Sequence, residues 1–89
     1  MQSTMTLKRH AELVDRMASS LGVDLEQKIM EAQMQFAALG DMVLACTGCA
    51  NPEVCEHWLA QHRSEAAETA PDYCRNADIF ARLKAGKRV

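Results

Sequence analysis

Apolar residues recur along this chain at helical spacing. Leu7, Ala11, Val14, Ala18 and Leu21 are separated by four, three, four and three residues, which draws one stripe on a helix over about 6–21. Gly22 supplies a stop, because glycine takes the left-handed conformation without penalty. Asp24 is placed to cap a second helix, with Gln27 at the position of a capping-box partner. The second helix is expected to be the long one, about 24–45, since Leu25, Ile29, Ala32, Phe36, Leu39 and Val43 keep the same alternation. Met30 and Met34 lie about 120–160° around that helix from Phe36. A helix apolar on two opposed faces is central in its domain or shares a face with a second subunit. The methionines therefore read first as adaptable core filling and second as a homodimer face.

A third helix begins at Asn51, a favourable cap, with Pro52 at the first helical position, where its missing N–H costs nothing. It places Cys55, Trp58, Leu59 and His62 on one side and is expected to fray within 64–70. Pro71 forces a turn, and Asn76 is placed to cap a short fourth helix whose Ile79, Phe80 and Leu83 pack inward. No run alternates with the period of a strand. The expected fold class is all-α: a small four-helix domain, with a long amphipathic helical hairpin and two shorter helices joined at a cysteine-rich corner. It is read as one domain over 1–89 with an ordered core of about 6–84 and a frayed tail.

Composition agrees with that reading. Apolar residues make up 48% of the 89, charged residues 25%, and the net charge is −2. Such a chain folds, and it has no overall attraction to nucleic acid or an anionic membrane. There is no apolar run of signal-peptide type and no membrane-spanning stretch, so the expected location is cytoplasmic. A chain this short buries only roughly 60% of its unfolded surface, so a metal, a disulfide or a second subunit would add needed stability.

Candidate chemistry lies in four cysteines. Cys46, Cys49 and Cys55 form a Cys-x2-Cys-x5-Cys run, and Cys74 follows in Pro71-Asp72-Tyr73-Cys74. The trio belongs to one helix–loop–helix corner, and the positive end of the third helix is expected to lower the pKa of a thiol there. Cys74 can return to that corner, because the eight or so residues before Pro71 span about 25 Å when extended. Four readings compete. The first is an iron–sulfur cluster with four thiolate ligands, which accepts Cys-x2-Cys plus looser spacings. The second is structural zinc, whose paired-knuckle grammar only Cys46 and Cys49 fit. The third is disulfide chemistry, and the fourth is unligated thiols packed as small hydrophobes. Thiol redox through Cys46 and Cys49 ranks last among functions, so no catalytic residue is assigned.

These residues also carry resemblances. Leu-Gly-Val-Asp-Leu at 21–25, Cys46-x2-Cys49-x5-Cys55-x2-Trp58-Leu59-Ala60, and Pro71-x2-Cys74-x-Asn76-Ala77-x2-Phe80-x2-Leu83 together resemble a family of small alphaproteobacterial four-cysteine helical proteins of unknown function. That resemblance covers about 15–83 and implies that Trp58, Asn76 and Phe80 belong to the same unit as the cysteines. It implies no activity. The shorter segment from Cys46 to Ala60 is similar to the cluster-binding segment of WhiB-like regulators. That similarity implies a [4Fe–4S] cluster with Cys46, Cys49 and Cys55 as ligands and Trp58 as a ring shielding it. In those proteins the remaining cysteine precedes the segment, whereas Cys74 follows it, and their basic DNA-contacting motif has no counterpart here.

Other polar residues add little. His62 lies about 10 Å along the helix from Cys55, too far for one ion, His57 points about 160° away from Cys55, and His10 is expected to be exposed. Glu26, Glu31, Glu65 and Glu68 read as solvated helix faces, and the basic residues from Arg82 to Arg88 as a solubilising tail. The function expected is a small cytosolic cysteine-cluster protein, a metal- or iron–sulfur-binding, redox- or iron-responsive module. The alternative is a structural interaction domain, homodimeric or bound to another protein, whose cysteines form disulfides or pack as thiols.

Overall fold

Helix ends, more than helix interiors, set this architecture. The computed structural model describes residues 4–49, 51–63 and 67–89, with residues 4 and 5 described by their backbone alone. Within them the chain is all-helical: α1 (Thr4–Ser20), α2 (Leu25–Met30), α3 (Phe36–Thr47), α4 (Pro52–Gln61) and α5 (Ala77–Lys84). α1 packs against α3 and α4. No helix among the described residues is long and apolar enough to cross a membrane.

Three of the helices end in the same way. After α1, Gly22 has φ 74°, Val23 N–H donates to Ala18 C=O at 2.8 Å, and Gly22 N–H donates to Ser19 C=O at 3.1 Å. This is the Schellman arrangement, which satisfies carbonyls left over at a helix end. After α5, Gly86 has φ 80°, with Lys87 N–H on Arg82 C=O and Gly86 N–H on Leu83 C=O. After α2 the pattern recurs with Ala32 at φ 61°, Gln33 N–H on Lys28 C=O at 3.0 Å and Ala32 N–H on Ile29 C=O at 3.1 Å. The one long helix expected over 24–45 is therefore two, and the described residues form five helices where four were expected.

The break has a physical reason. On a continuous helix Met34 would lie away from the Leu25–Val43 stripe. Reversing the chain at Ala32 turns Met34 inward, where it is almost fully buried, and Met42 follows it on α3. Phe36 and Ala32, members of the expected stripe, are exposed instead. A left-handed alanine costs about 1–2 kcal/mol. Full burial of a methionine side chain contributes roughly 1.5–3 kcal/mol, enough to offset it.

The buried face of α1 is also wider than expected. It runs through His10, Leu13, Val14, Met17, Ala18 and Leu21, while Ala11 is exposed. Packing by α3 and α4 on two sides recruits Leu13 and Met17. The core they enter gathers side chains from all five helices, including Leu25, Met42, Leu59, Phe80 and Leu83. Asp24 caps α2 as expected, its Oδ1 accepting from Gln27 N–H at 3.1 Å, but the Gln27 side chain turns forward to Glu31.

Backbone bonds tie the segments between helices. Ser20 Oγ–H donates to His62 C=O, and Ser20 C=O accepts from Ala67 N–H at 3.0 Å. Lys84 Nζ donates to the carbonyls of Ala67 and Glu68. α4 ends at Gln61; of the stretch expected to fray, residues 64–66 lie outside the described residues. The tail is anchored, since Val89 N–H donates to Gln33 C=O at 2.9 Å.

The sign of one substitution tests the break. Ala32→Gly should raise unfolding stability in urea by about 0.5–1 kcal/mol, because glycine relieves the left-handed strain and loses part of that gain to unfolded-chain entropy. A loss of about 1 kcal/mol would mean that Ala32 sits inside a continuous helix.

Candidate metal centre

Three chain segments deliver the four thiols to one place. Cys46 is in the last turn of α3, Cys49 in the loop after it, and Cys55 in the first turn of α4. Cys74 lies in the turn before α5. All four line one small cavity of ≈ 20 Å³, space for little more than one water. All four are free thiols, Cys55 buried and the others half-buried.

Two side chains of the α5 approach close the cavity. Asn76 is 2% exposed, and its Nδ2 donates to the Met42 carbonyl on α3 at 2.8 Å. It occupies the N-cap position of α5, as the sequence suggests, but its side chain makes no cap bond: Nδ2 is held by Met42, and Oδ1 has no partner among the described residues. Arg75 Nε donates to Gly48 C=O at 2.9 Å, at the end of α3. These two bonds hold Cys74 against the corner.

The sulfurs have a polar environment that the Cys spacing alone does not reveal. Cys49 Sγ accepts the Asn51 backbone N–H at 3.4 Å, and its thiol points to the Tyr73 carbonyl at 3.8 Å. Cys74 is likewise favoured as thiolate by a hydrogen bond from the Asn76 backbone. Both loop cysteines thus receive an amide donor two residues on, in matching Cys-x-Asn segments. Amide donors of this kind stabilise the charged form of sulfur. The repeated Cys-x-Asn was a visible signal.

Burial works the other way. It pushes Cys46 up to about 11, with the charges of Cys55, Cys74 and Cys49 adding to it. Cys55 is pushed up to about 11 by burial and by Cys74 and Cys49, against a lowering by Arg16. Cys74 is also raised, chiefly by burial. The expected lowering of Cys55 by the α4 dipole is thus overturned: desolvation and neighbouring sulfur charge outweigh a helix end worth about 0.3–1 kcal/mol. Each thiolate formed here makes the next harder to form, and a bound cation would remove that penalty.

The remaining polar lining comes from His10 and Tyr73. The expectation that His10 is exposed is corrected: it is 7% exposed, and its ring Nδ1 lies 2.8 Å from Thr6 C=O. Tyr73 Oη and Asn76 Oδ1 are buried without a hydrogen-bond partner among the described residues. Trp58 stacks on His62, with ring centroids 4.2 Å apart and 18° between planes, and it packs against the core. It is not among the cavity-lining residues. Among the described residues, no three His, Cys, Asp or Glu side chains are already disposed to hold a metal ion. Loading would need the side chains that line the cavity to rearrange.

A family model described as a family of unknown function, DUF6455, matches residues 1–86. The chain belongs to that family. No curated protein and no solved structure matches it. The family match extends beyond the 15–83 span of the sequence resemblance, and it carries neither an alphaproteobacterial assignment nor a likeness to WhiB-like regulators.

The raised thiols give this DUF6455 chain a pH dependence with a definite sign. Cys46 and Cys55 hold their protons more tightly in the folded chain than a thiol at its ordinary value of 9.0. Stability from that source is complete below pH 9 and is lost as pH rises toward about 11. The reduced, chelator-treated protein should therefore keep a constant urea midpoint up to about pH 9 and lose stability between 9 and 11. A Cys46→Ala, Cys55→Ala double variant should show a smaller loss, and an equal loss would remove the thiols as its cause.

Proposed function

We propose that this chain holds a metal centre at its cysteine corner, with Cys46, Cys49, Cys55 and Cys74 as the candidate ligands, and serves in the cytoplasm as a small redox- or iron-responsive accessory or regulatory module. One observation carries the reading: four thiols from three segments line one cavity, and each raises the cost of ionising its neighbours. A sulfur-rich set selects zinc, iron–sulfur or Cu(I) over magnesium or calcium. The cysteine spacing suits a [4Fe–4S] cluster. The ≈ 20 Å³ of space between the thiols favours a single ion, zinc or one iron, and a four-iron cluster would need the corner to spread. Metal binding would stiffen the seat of the α5 approach on the α3–α4 corner, which Asn76 and Arg75 already hold, and loss of the metal would loosen that junction. A metal-dependent change in helix packing is the signal such a module would pass on.

Protein purified without air should carry about one zinc or iron per chain, and its thiols should become fully open to alkylation only after chelation. Cys74→Ala should lower metal content severalfold while keeping the helical circular dichroism, since that residue lies outside the α3–α4 corner. A colourless, metal-free protein whose four thiols react at once would contradict the proposal.

A second reading, an interaction domain paired with a second copy, is favoured by one surface. Phe36 is 76% exposed and Met30 80%, beside a groove lined by Val14, Leu25, Ile29, Leu39 and Val43. Sedimentation at about 100 µM should then report a dimer that Phe36→Ser returns to monomer. A monomer at that concentration rejects this reading.

A further inference from the structure

His10 is the cavity wall that the cysteines do not account for. It comes from α1, it is 7% exposed, and it faces the same space as the four thiols. Its Nδ1 lies 2.8 Å from the Thr6 carbonyl, which can only accept, so Nδ1 carries the proton. In the neutral ring the lone pair is then on Nε2. This is how proteins prepare an imidazole for a metal: the outer nitrogen donates to a carbonyl, fixing tautomer and ring orientation, and the inner one binds.

Resting on the metal-centre reading, we propose that His10 Nε2 is a ligand of the ion, which takes three thiolates and this imidazole and leaves the fourth cysteine as a thiol. Charge supports the mixed set. A divalent ion with four thiolates leaves two surplus negative charges in a half-buried site, whereas three thiolates and a neutral imidazole leave one, and burying net charge is costly. The lining residue Asn76 also carries a buried Oδ1 without a hydrogen-bond partner among the described residues, an acceptor suited to the S–H of the retained thiol.

The test uses the reduced full chain and one equivalent of cobalt(II). Thiolate-to-cobalt charge-transfer intensity counts sulfur ligands, and X-ray absorption of the same sample counts sulfur against nitrogen. The expected shell is three sulfurs and one nitrogen, with one thiol per chain open to alkylation in the loaded protein. His10→Phe keeps a planar ring without nitrogen, and it should weaken cobalt binding at least about tenfold and shift the visible bands. Four sulfurs in the wild-type shell, with four protected thiols and an unchanged spectrum in the variant, would overturn the imidazole ligand and leave the metal centre standing. A wild-type chain that takes up no cobalt would overturn the metal centre itself, and this ligand with it. If His10→Phe loses its helical signal, the wild-type shell decides alone.

Discussion

One buried hydrogen bond holds the candidate site together: the Asn76 side-chain amide on the Met42 carbonyl, at 2.8 Å across 34 residues of sequence. A bond of this kind contributes only about 1 kcal/mol net, but leaving both groups buried and unpaired would cost about 1–3 kcal/mol each. The approach to α5 therefore has one low-energy seat, against the middle of α3. Cys74 lies two residues before Asn76 and is carried with it into the wall that Cys46, Cys49 and Cys55 share. Arg75 on Gly48 C=O fixes the same approach at the end of α3. The hydrophobic partners of this seat, Phe80 and Leu83, follow on α5 and are almost fully buried.

The seat brings together groups that resist one another. Hydrophobic packing and the Asn76 bond place four thiols where burial and mutual charge disfavour ionisation. The amide donors at Cys49 and Cys74 favour it. A chain of this length has little stability to spare. A cation at the corner would satisfy the thiolates and cross-link the segments that are farthest apart in sequence, so ligand occupancy and helix packing become one equilibrium. Under the proposed function, that coupling would let a small fold respond to occupancy of the corner.

The sequence was legible where periodicity and helix ends coincide. The starts of α2 and α4 at Asp24 and Pro52, the stop at Gly22, and inward-facing Phe80 and Leu83 all follow from residue type. The break at Ala32 was not legible, because alanine is the best helix former and the left-handed turn it makes is bought by Met34, whose burial is a tertiary effect. The α1 stripe was drawn too narrow for a related reason: Val14, Ala18 and Leu21 are buried as expected, but helices on two sides widen the face beyond what spacing shows, and His10 enters the cavity with it. The corner placed Cys46, Cys49 and Cys55 from chain order alone. The seating of Cys74 depended on an asparagine amide reaching another helix, which no local pattern encodes. The pKa of Cys55 was misjudged because a helix dipole can be read from sequence, while desolvation and the charges of Cys74 and Cys49 cannot.

Proton–proton contacts in the reduced, metal-free protein test the central claim most directly. Nuclear Overhauser cross-peaks between the Asn76 side-chain amide protons and α3 near Met42, and between the Cys74 and Cys49 or Cys55 methylene protons, are the expected result. Cross-peaks from Cys74 only to its sequence neighbours, with Asn76 exchanging freely with solvent, would contradict the account.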